Sequence, residues 1–212
     1  MTIAVIGANG RSGQVFVELA LAAGHQVRAG ARGKSRFAAH PNLVTMECDA
    51  TNEVQVAELI SGQDAVVSLI GHVRKSPATV QTNAMRVLIG MMEKAGVSRV
   101  VTLTGTGVRY PGDQITLMDR LLNMGVSLVD PARVKDGTAA CRLLENSSLK
   151  WTIIRVLKLT EQNPGAFKLR EHGPAKSFVP RGEVAQAILS VLVEDALINS
   201  APIISSPQQG HV

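Results

Sequence analysis

Aromatic residues are scarce in this chain: Tyr110 and Trp151 are single occurrences, joined by four phenylalanines among 212 residues. Nucleic-acid surfaces stack bases on rings set among clustered basic side chains. With so few rings and scattered basic residues, the net charge of +5 does not point to nucleic acid. Cysteine is as scarce. Cys48 and Cys141 lie far apart with no CxxC spacing, so neither a disulfide framework nor a zinc site is expected. No His, Cys or carboxylate cluster has ligand spacing either, and no metal is expected. The apolar run at 185–198 is broken by Glu194 and Asp195 and is too short to cross a bilayer. The N-terminus lacks a basic segment ahead of a sustained apolar stretch, so no signal peptide and no membrane contact are expected. These absences fit a cytoplasmic protein. At 45% hydrophobic and 18% charged, the chain suffices for one buried core, and a single domain over 1–212 is the expectation.

What is present is an alternation of apolar runs with helical patterns, the signature of βαβ units around a parallel sheet. Strands are expected at 3–6, 26–30, 43–46, 65–70, 100–103 and 151–156, with a last one near 201–205. Val15, Phe16, Leu19, Ala20 and Ala23 recur at helical spacing over 11–23, and Gly24 supplies a left-handed stop. The clearest helix covers 76–94: Ser76 can cap it, Pro77 suits its first turn, and Val80, Ala84, Val87, Leu88 and Met91 share one face. Further helices are expected at 53–60, 134–146 and 183–193. Residues 104–131 and 160–180, rich in Gly, Pro and charge, read as substrate-side loops over the sheet edge. Trp151 is expected in the core.

The first strand runs into "GANGRSG". A strand, a glycine turn and a helix aim backbone N–H groups and the positive helix end at one point, which suits a pyrophosphate. Gly7 permits the tight turn, Gly10 lets a ligand approach, and Gly13 lets the helix pack closely. Ala8 and Asn9 complete the turn, and Arg11 and Ser12 sit at the helix mouth. The spacing is GxxGxxG, a partial match to the GxGxxG dinucleotide fingerprint.

The end of the second strand selects the nucleotide. An acidic residue there holds the ribose 2′-hydroxyl of NAD, whereas NADP needs positive charge for its 2′-phosphate. No acidic residue occurs between Glu18 and Glu47, and "RAGARGKSR" places Arg28, Arg32, Lys34 and Arg36 around Ser35. Arg32 is suited to a planar contact with phosphate or to stacking on adenine. NADP(H) is the expected cofactor. Asp49 and Ala50 in "ECDAT" follow the third strand, where Asp49 can accept from the adenine amino group or cap a helix with Thr51. Ile70, Gly71 and His72 follow the fourth, and a glycine there lets backbone pass close to a cofactor.

Taken in order, "VIGANGRSG", "ARGKSR", "CDAT", "GQDAVVSLIG", "GVSRVVTLTG", "LLENSSLKWTIIR" and "GPAKSFVPRGEVAQAIL" resemble the atypical short-chain dehydrogenase/reductase family, especially its flavin reductase and biliverdin-IXβ reductase branch. The resemblance covers nearly the whole chain. It implies a doubly wound α/β Rossmann sheet in the order 3-2-1-4-5-6 with helices on both faces.

The family's catalytic residues are not carried over. The Tyr-x-x-x-Lys acid–base pair of extended relatives is absent, since Gln114 stands four residues after the only tyrosine. Gly105 stands where the branch places a serine, Cys141 and Lys158 fall near its histidine positions, and Val156 replaces the proline after "TIIR". Thr104 and Thr106 are candidates to bind the nicotinamide carboxamide or substrate, or to satisfy loop backbone. His72 is the one histidine beside a strand end; His25, His40, His172 and His211 are peripheral. Lys135 and Lys158 can face an anionic substrate or solvent.

Two functions follow. One is NADPH-dependent reduction of a flavin or similar planar conjugated acceptor, in which positioning does most of the work. The other is a non-catalytic NADP(H)-binding redox sensor. A nucleotide-sugar epimerase is disfavoured by the missing tyrosine. The expected partner is a small molecule, with the chain a monomer or weak dimer.

Overall fold

The computed structural model describes residues 1–73 and 76–207; His211 lies outside them. Six parallel strands form the centre: β1 (Thr2–Ile6), β2 (Gln26–Ala31), β3 (Leu43–Glu47), β4 (Ala65–Ser68), β5 (Arg99–Gly105) and β6 (Lys150–Val156). Their order is β3-β2-β1-β4-β5-β6, the doubly wound order that the sequence implied. Short strands follow β6: β7 (Lys158–Thr160), β8 (Lys168–Arg170), β9 (Phe178–Pro180) and β10 (Ile203–Ser205). β10 joins the sheet parallel to β6, and β8 closes its edge antiparallel to β10.

Alternation along the strands sends side chains to two cores. Ala4, Ile6, Val66, Val100 and Ile153 face α2 (Glu53–Ile60), α3 (Val80–Ala95) and α5 (Pro131–Glu145), meeting Leu59, Leu88, Met92 and Leu144. Ile3, Val5, Val67, Val101 and Ile154 face α1 (Arg11–Ala22) and α6 (Arg181–Val193), meeting Phe16, Val17, Ile188 and Val191. Because both faces of β1 and β4 are covered, those strands are apolar nearly throughout, whereas the edge strand β3 buries no residue fully. Trp151 packs in the first core.

Three local expectations change. Helix α3 begins at Val80, not Ser76: Ser76 instead accepts from the Val73 N–H, and Thr79 makes no side-chain cap. Its start is held from α5, where Asp136 accepts from the N–H groups of Gln81 (2.8 Å) and Thr82 (2.9 Å). Residues 104–131 are not all loop, for α4 (Leu117–Val129) starts on Thr116, which accepts from the Asp119 N–H. Residues 160–180 contain β8 and β9, the latter paired parallel with β7. Short strands of three residues leave no periodicity to read.

Candidate functional site

Every central strand delivers its carboxyl end to the same side, where open α/β sheets bind ligands. After β1 the chain turns at Gly7 with φ of +83°. The N–H groups of Gly7 and Ala8 both donate to the Gly30 carbonyl (3.1 Å each), tying the turn to β2. A Cβ on Gly13 would lie 2.4 Å from the Gly7 carbonyl oxygen and 2.6 Å from that of Ala8. Gly13 therefore lets α1 seat against the turn itself. Gly10 is the N-cap of α1, with no side-chain cap and no acid in the first turn. The N–H groups of Arg11, Ser12 and Gly13 thus form an electropositive mouth with no carboxylate of its own helix on it. Arg11 is exposed beside that mouth, 3.4 Å from Glu161, which also pairs with Arg181.

Asn9 joins this turn to the basic segment after β2. Its amide donates to the carbonyls of Lys34 (3.0 Å) and Arg32 (3.4 Å), and its Oδ1 accepts from the Arg36 N–H (3.3 Å). Residues 32–36 are thereby folded over the turn as one unit. Ser35 Oγ accepts from the Phe37 N–H, and Ser35, Gly33 and Asn9 line a cavity of about 80 Å³ against β3. Arg28 has a different task from its neighbours. Its guanidinium donates to the carbonyls of Glu58, Leu59 and Ser61, satisfying the C-terminus of α2.

Beyond β3, Asp49 does not cap α2; Asn52 does, accepting from the Gln55 N–H. Asp49 Oδ1 accepts from the N–H (2.9 Å) and hydroxyl (2.7 Å) of Thr51, and these bonds hold its pKa below the ordinary carboxylate value. Ala50 beside it is buried. A Cβ on Gly71 would meet nothing within 4 Å, so open space lies above the β4 end.

At the β5 end, Thr104 lines a cavity of about 20 Å³ with Ser68, Ile70, Gln81, Gly137 and Cys141, room for about one water. Burial pushes the Cys141 thiol up to about 12, so it stays protonated at neutral pH. The lining carries no carboxylate, imidazole, amine or phenol. Thr106 and His72 need correction as substrate contacts. Thr106 is wholly buried, its hydroxyl accepting from the Asn123 amide at 3.1 Å. The His72 side chain is only 6% exposed, with Nε2 2.8 Å from Asp136 Oδ2 and Nδ1 3.6 Å from Asp130. Both positions serve packing: Thr106 anchors α4 and His72 adds to the clasp between α3 and α5.

Sequence reasoning missed Asp136 and Arg155. Arg155 is a charge inside an apolar strand, a visible signal. It is 1% exposed and grips Asp113 with two nitrogens at 2.6 and 2.9 Å. Its guanidinium lies 4.5 Å from the centroid of the Tyr110 ring, whose hydroxyl donates to Glu145. Burial and that carboxylate raise the Tyr110 pKa beyond its ordinary range. Asp136, by contrast, sits in the weakly amphipathic α5 with nothing in the local pattern to mark it. Among the described residues no group of three or more His, Cys, Asp or Glu side chains gathers for a metal, and no helix is long and apolar enough to cross a membrane.

A doubly wound sheet with an acid-free glycine turn at the first helix defines a dinucleotide-binding protein. The profile of a family described as NAD(P)H-binding matches residues 7–195, and the chain belongs to that family. Among solved structures, a short-chain dehydrogenase/reductase from Veillonella parvula in complex with NADP is similar over 99% of this chain and 96% of its own, at 17% identity and a TM-score of 0.83. The oxidoreductase YlbE from Lactococcus lactis is 23% identical over 98% of this chain and 92% of its own, with a TM-score of 0.83. ChuY, an anaerobilin reductase from Escherichia coli O157:H7, is 22% identical over the full length of both chains, with a TM-score of 0.79.

The residues present fit the nucleotide. The first turn of α1 offers uncapped donors, and close packing at Gly7 and Gly13 keeps side chains out of the approach. The basic loop lies beside it.

Proposed function

We propose that the chain is an NADPH-dependent reductase of a flavin or a similar planar, conjugated acceptor. The observation that carries the cofactor half is the union, through Asn9, of a helix mouth with no acid in its own first turn and a loop bearing Arg32, Lys34 and Arg36. In this reading Gly7, Ala8, Asn9, Gly10, Arg11, Ser12 and Gly13 hold the pyrophosphate, while Arg32, Ser35 and Arg36 take the 2′-phosphate. Asp49, Ala50, Ile70 and Gly71 border the adenine and ribose. The site sits in one domain covering 1–212.

The reaction half rests on what lines the β4 and β5 ends. NADPH supplies a hydride when bound, and solvent completes the acceptor with a proton. Thr104 orients the carboxamide through its hydroxyl. Among the described residues that line the cavity beside Thr104 none is a carboxylic acid, imidazole, amine or phenol, and the Tyr110 hydroxyl is occupied by Glu145. An acceptor that needs only alignment and exclusion of water suits such a wall. The full-length likeness to an anaerobilin reductase supports a reductase.

The occupied tyrosine also favours a second reading, a redox sensor that binds NADP(H) without turnover. NADPH oxidation followed with FMN, FAD, biliverdin and quinones, beside titrations with NADPH and NADH, separates the two. Turnover with one of them is expected; tight NADPH binding without turnover on any acceptor establishes the sensor.

A further inference from the structure

Helix α4 is built inside out. Its one buried residue is a carboxylate: Asp119, 1% exposed, pairs with Arg109, and Asn123 one turn later donates to Thr106 and Asp119. On the opposite side Leu117, Leu121, Met124 and Leu128 are 73%, 51%, 56% and 78% exposed. At 100° per residue those four fall within about a 60° arc, a single apolar stripe pointing away from the molecule. The inward face is already committed to polar bonds, so the stripe has no partner within its own chain among the described residues.

We propose that this stripe is a self-association surface, and that two copies of the chain pair through α4 about a two-fold axis. Three observations select a second copy. The spacing of the stripe is four, three, four, the step of a coiled-coil seam. That pattern reads the same in both directions, as an antiparallel pair of identical helices requires. With the axis between Leu122 and Asn123, Leu117 lies opposite the partner's Leu128 and Leu121 opposite the partner's Met124. Arg120, the only basic residue of the helix, then falls level with the partner's Gly125, so no like charge is opposed.

The area agrees. At these exposures the four side chains present on the order of 500 Å² per copy, so a pair removes about 1,000 Å² before flanking Met118 and Val129 are counted, the scale at which specific interfaces begin. A stripe of about 500 Å² is on the scale of the largest apolar patch that a monomer carries, and patches of that scale are often functional. A membrane-surface helix would carry several basic residues along its polar face, and α4 carries one. The pairing is independent of the reaction proposed above. It would bring two substrate-side walls together, because Asn123 and Asp119 tie the same helix to the segment after β5.

Sedimentation equilibrium of the full chain across the micromolar range tests this. The wild type is expected to form dimers that dissociate on dilution. Leu121→Lys and Leu128→Lys are expected to be monomers, their association weakened at least tenfold, with NADPH binding unchanged. A wild type that stays monomeric, or lysine variants that remain dimeric, overturns the proposal, as does a monomer that sediments with phosphatidylglycerol vesicles. Orientation has its own readout, because Cys48 and Cys141 are buried. A chain carrying both Leu117→Cys and Leu128→Cys should cross-link on mild oxidation while neither single variant does. Cross-linking of the singles would overturn the antiparallel arrangement, and this measurement stands if a lysine variant fails to fold.

Discussion

The side-chain oxygen of Asn9 accepts from the backbone N–H of Arg36 at 3.3 Å, across 27 residues of sequence, while its amide holds the carbonyls of Arg32 and Lys34. One small side chain thereby fixes the distance between the glycine turn and the basic loop. Asn9→Ala removes these bonds, each worth about 1 kcal/mol net. NADPH affinity is expected to fall about tenfold, or ~1.4 kcal/mol, with NADH affinity less affected. Calorimetric titration of both nucleotides checks this.

Arg32→Ala should remove a charge-assisted contact to the 2′-phosphate, worth about 1.5–3 kcal/mol. NADPH binding is then expected to weaken roughly tenfold to a hundredfold, with NADH binding unmoved. Equal loss for both nucleotides would place Arg32 on adenine instead.

Gly13→Ala tests the seat of α1. The new Cβ would lie 2.4 Å from the Gly7 carbonyl, and backbone must move to accept it. A stability loss of about 1–3 kcal/mol by urea unfolding is expected, together with loss of nucleotide binding.

Asp136→Asn should leave a donor facing donors at the start of α3, at a cost of about 3 kcal/mol near neutral pH. Burial works to raise the Asp136 pKa, but bonds from Thr82, Gln81 and His72 outweigh it and hold the carboxyl below its ordinary 3.8. A depressed folded pKa contributes stability above the ordinary value and loses it as pH falls through the folded one. The gap between wild type and variant should therefore narrow below about pH 4 in acid titrations of unfolding.

Tyr110→Phe separates packing from chemistry. With its hydroxyl committed to Glu145, the ring is not expected to donate a proton, and turnover should change less than about twofold while stability drops by about 1 kcal/mol. A large fall in kcat with a shifted pH profile would return Tyr110 to the mechanism.

The sequence was most readable where local chemistry and fold agree. The apolar runs marked all six central strands, and the glycine turn had to sit between β1 and α1 because only there do Gly7 and Gly13 remove Cβ atoms that would strike backbone. Arg28 shows the limit: within "RAGARGKSR" it looks like its neighbours, yet it points under the sheet edge to the α2 carbonyls, a distinction that depends on strand alternation and tertiary distance. His72 and Thr106 were misread for a similar reason. Their positions at strand ends were right, but their partners, Asp136 and Asn123, come from helices far along the chain. Helix α4 carries helical spacing in Leu117, Leu121, Met124 and Leu128, but it follows a segment rich in Gly and Pro, Gly105 to Gly112, that reads as loop.

The distant cap on α3 has a consequence for how this protein can change. A helix that depends on the residue just before it restricts that residue to a few polar types. Here the duty has moved to Asp136, in another helix, so Thr79, at the head of α3, can exchange its side chain without unfastening the helix. The position that opens α3 is thus released from capping, with the constraint stored in a residue of a different helix.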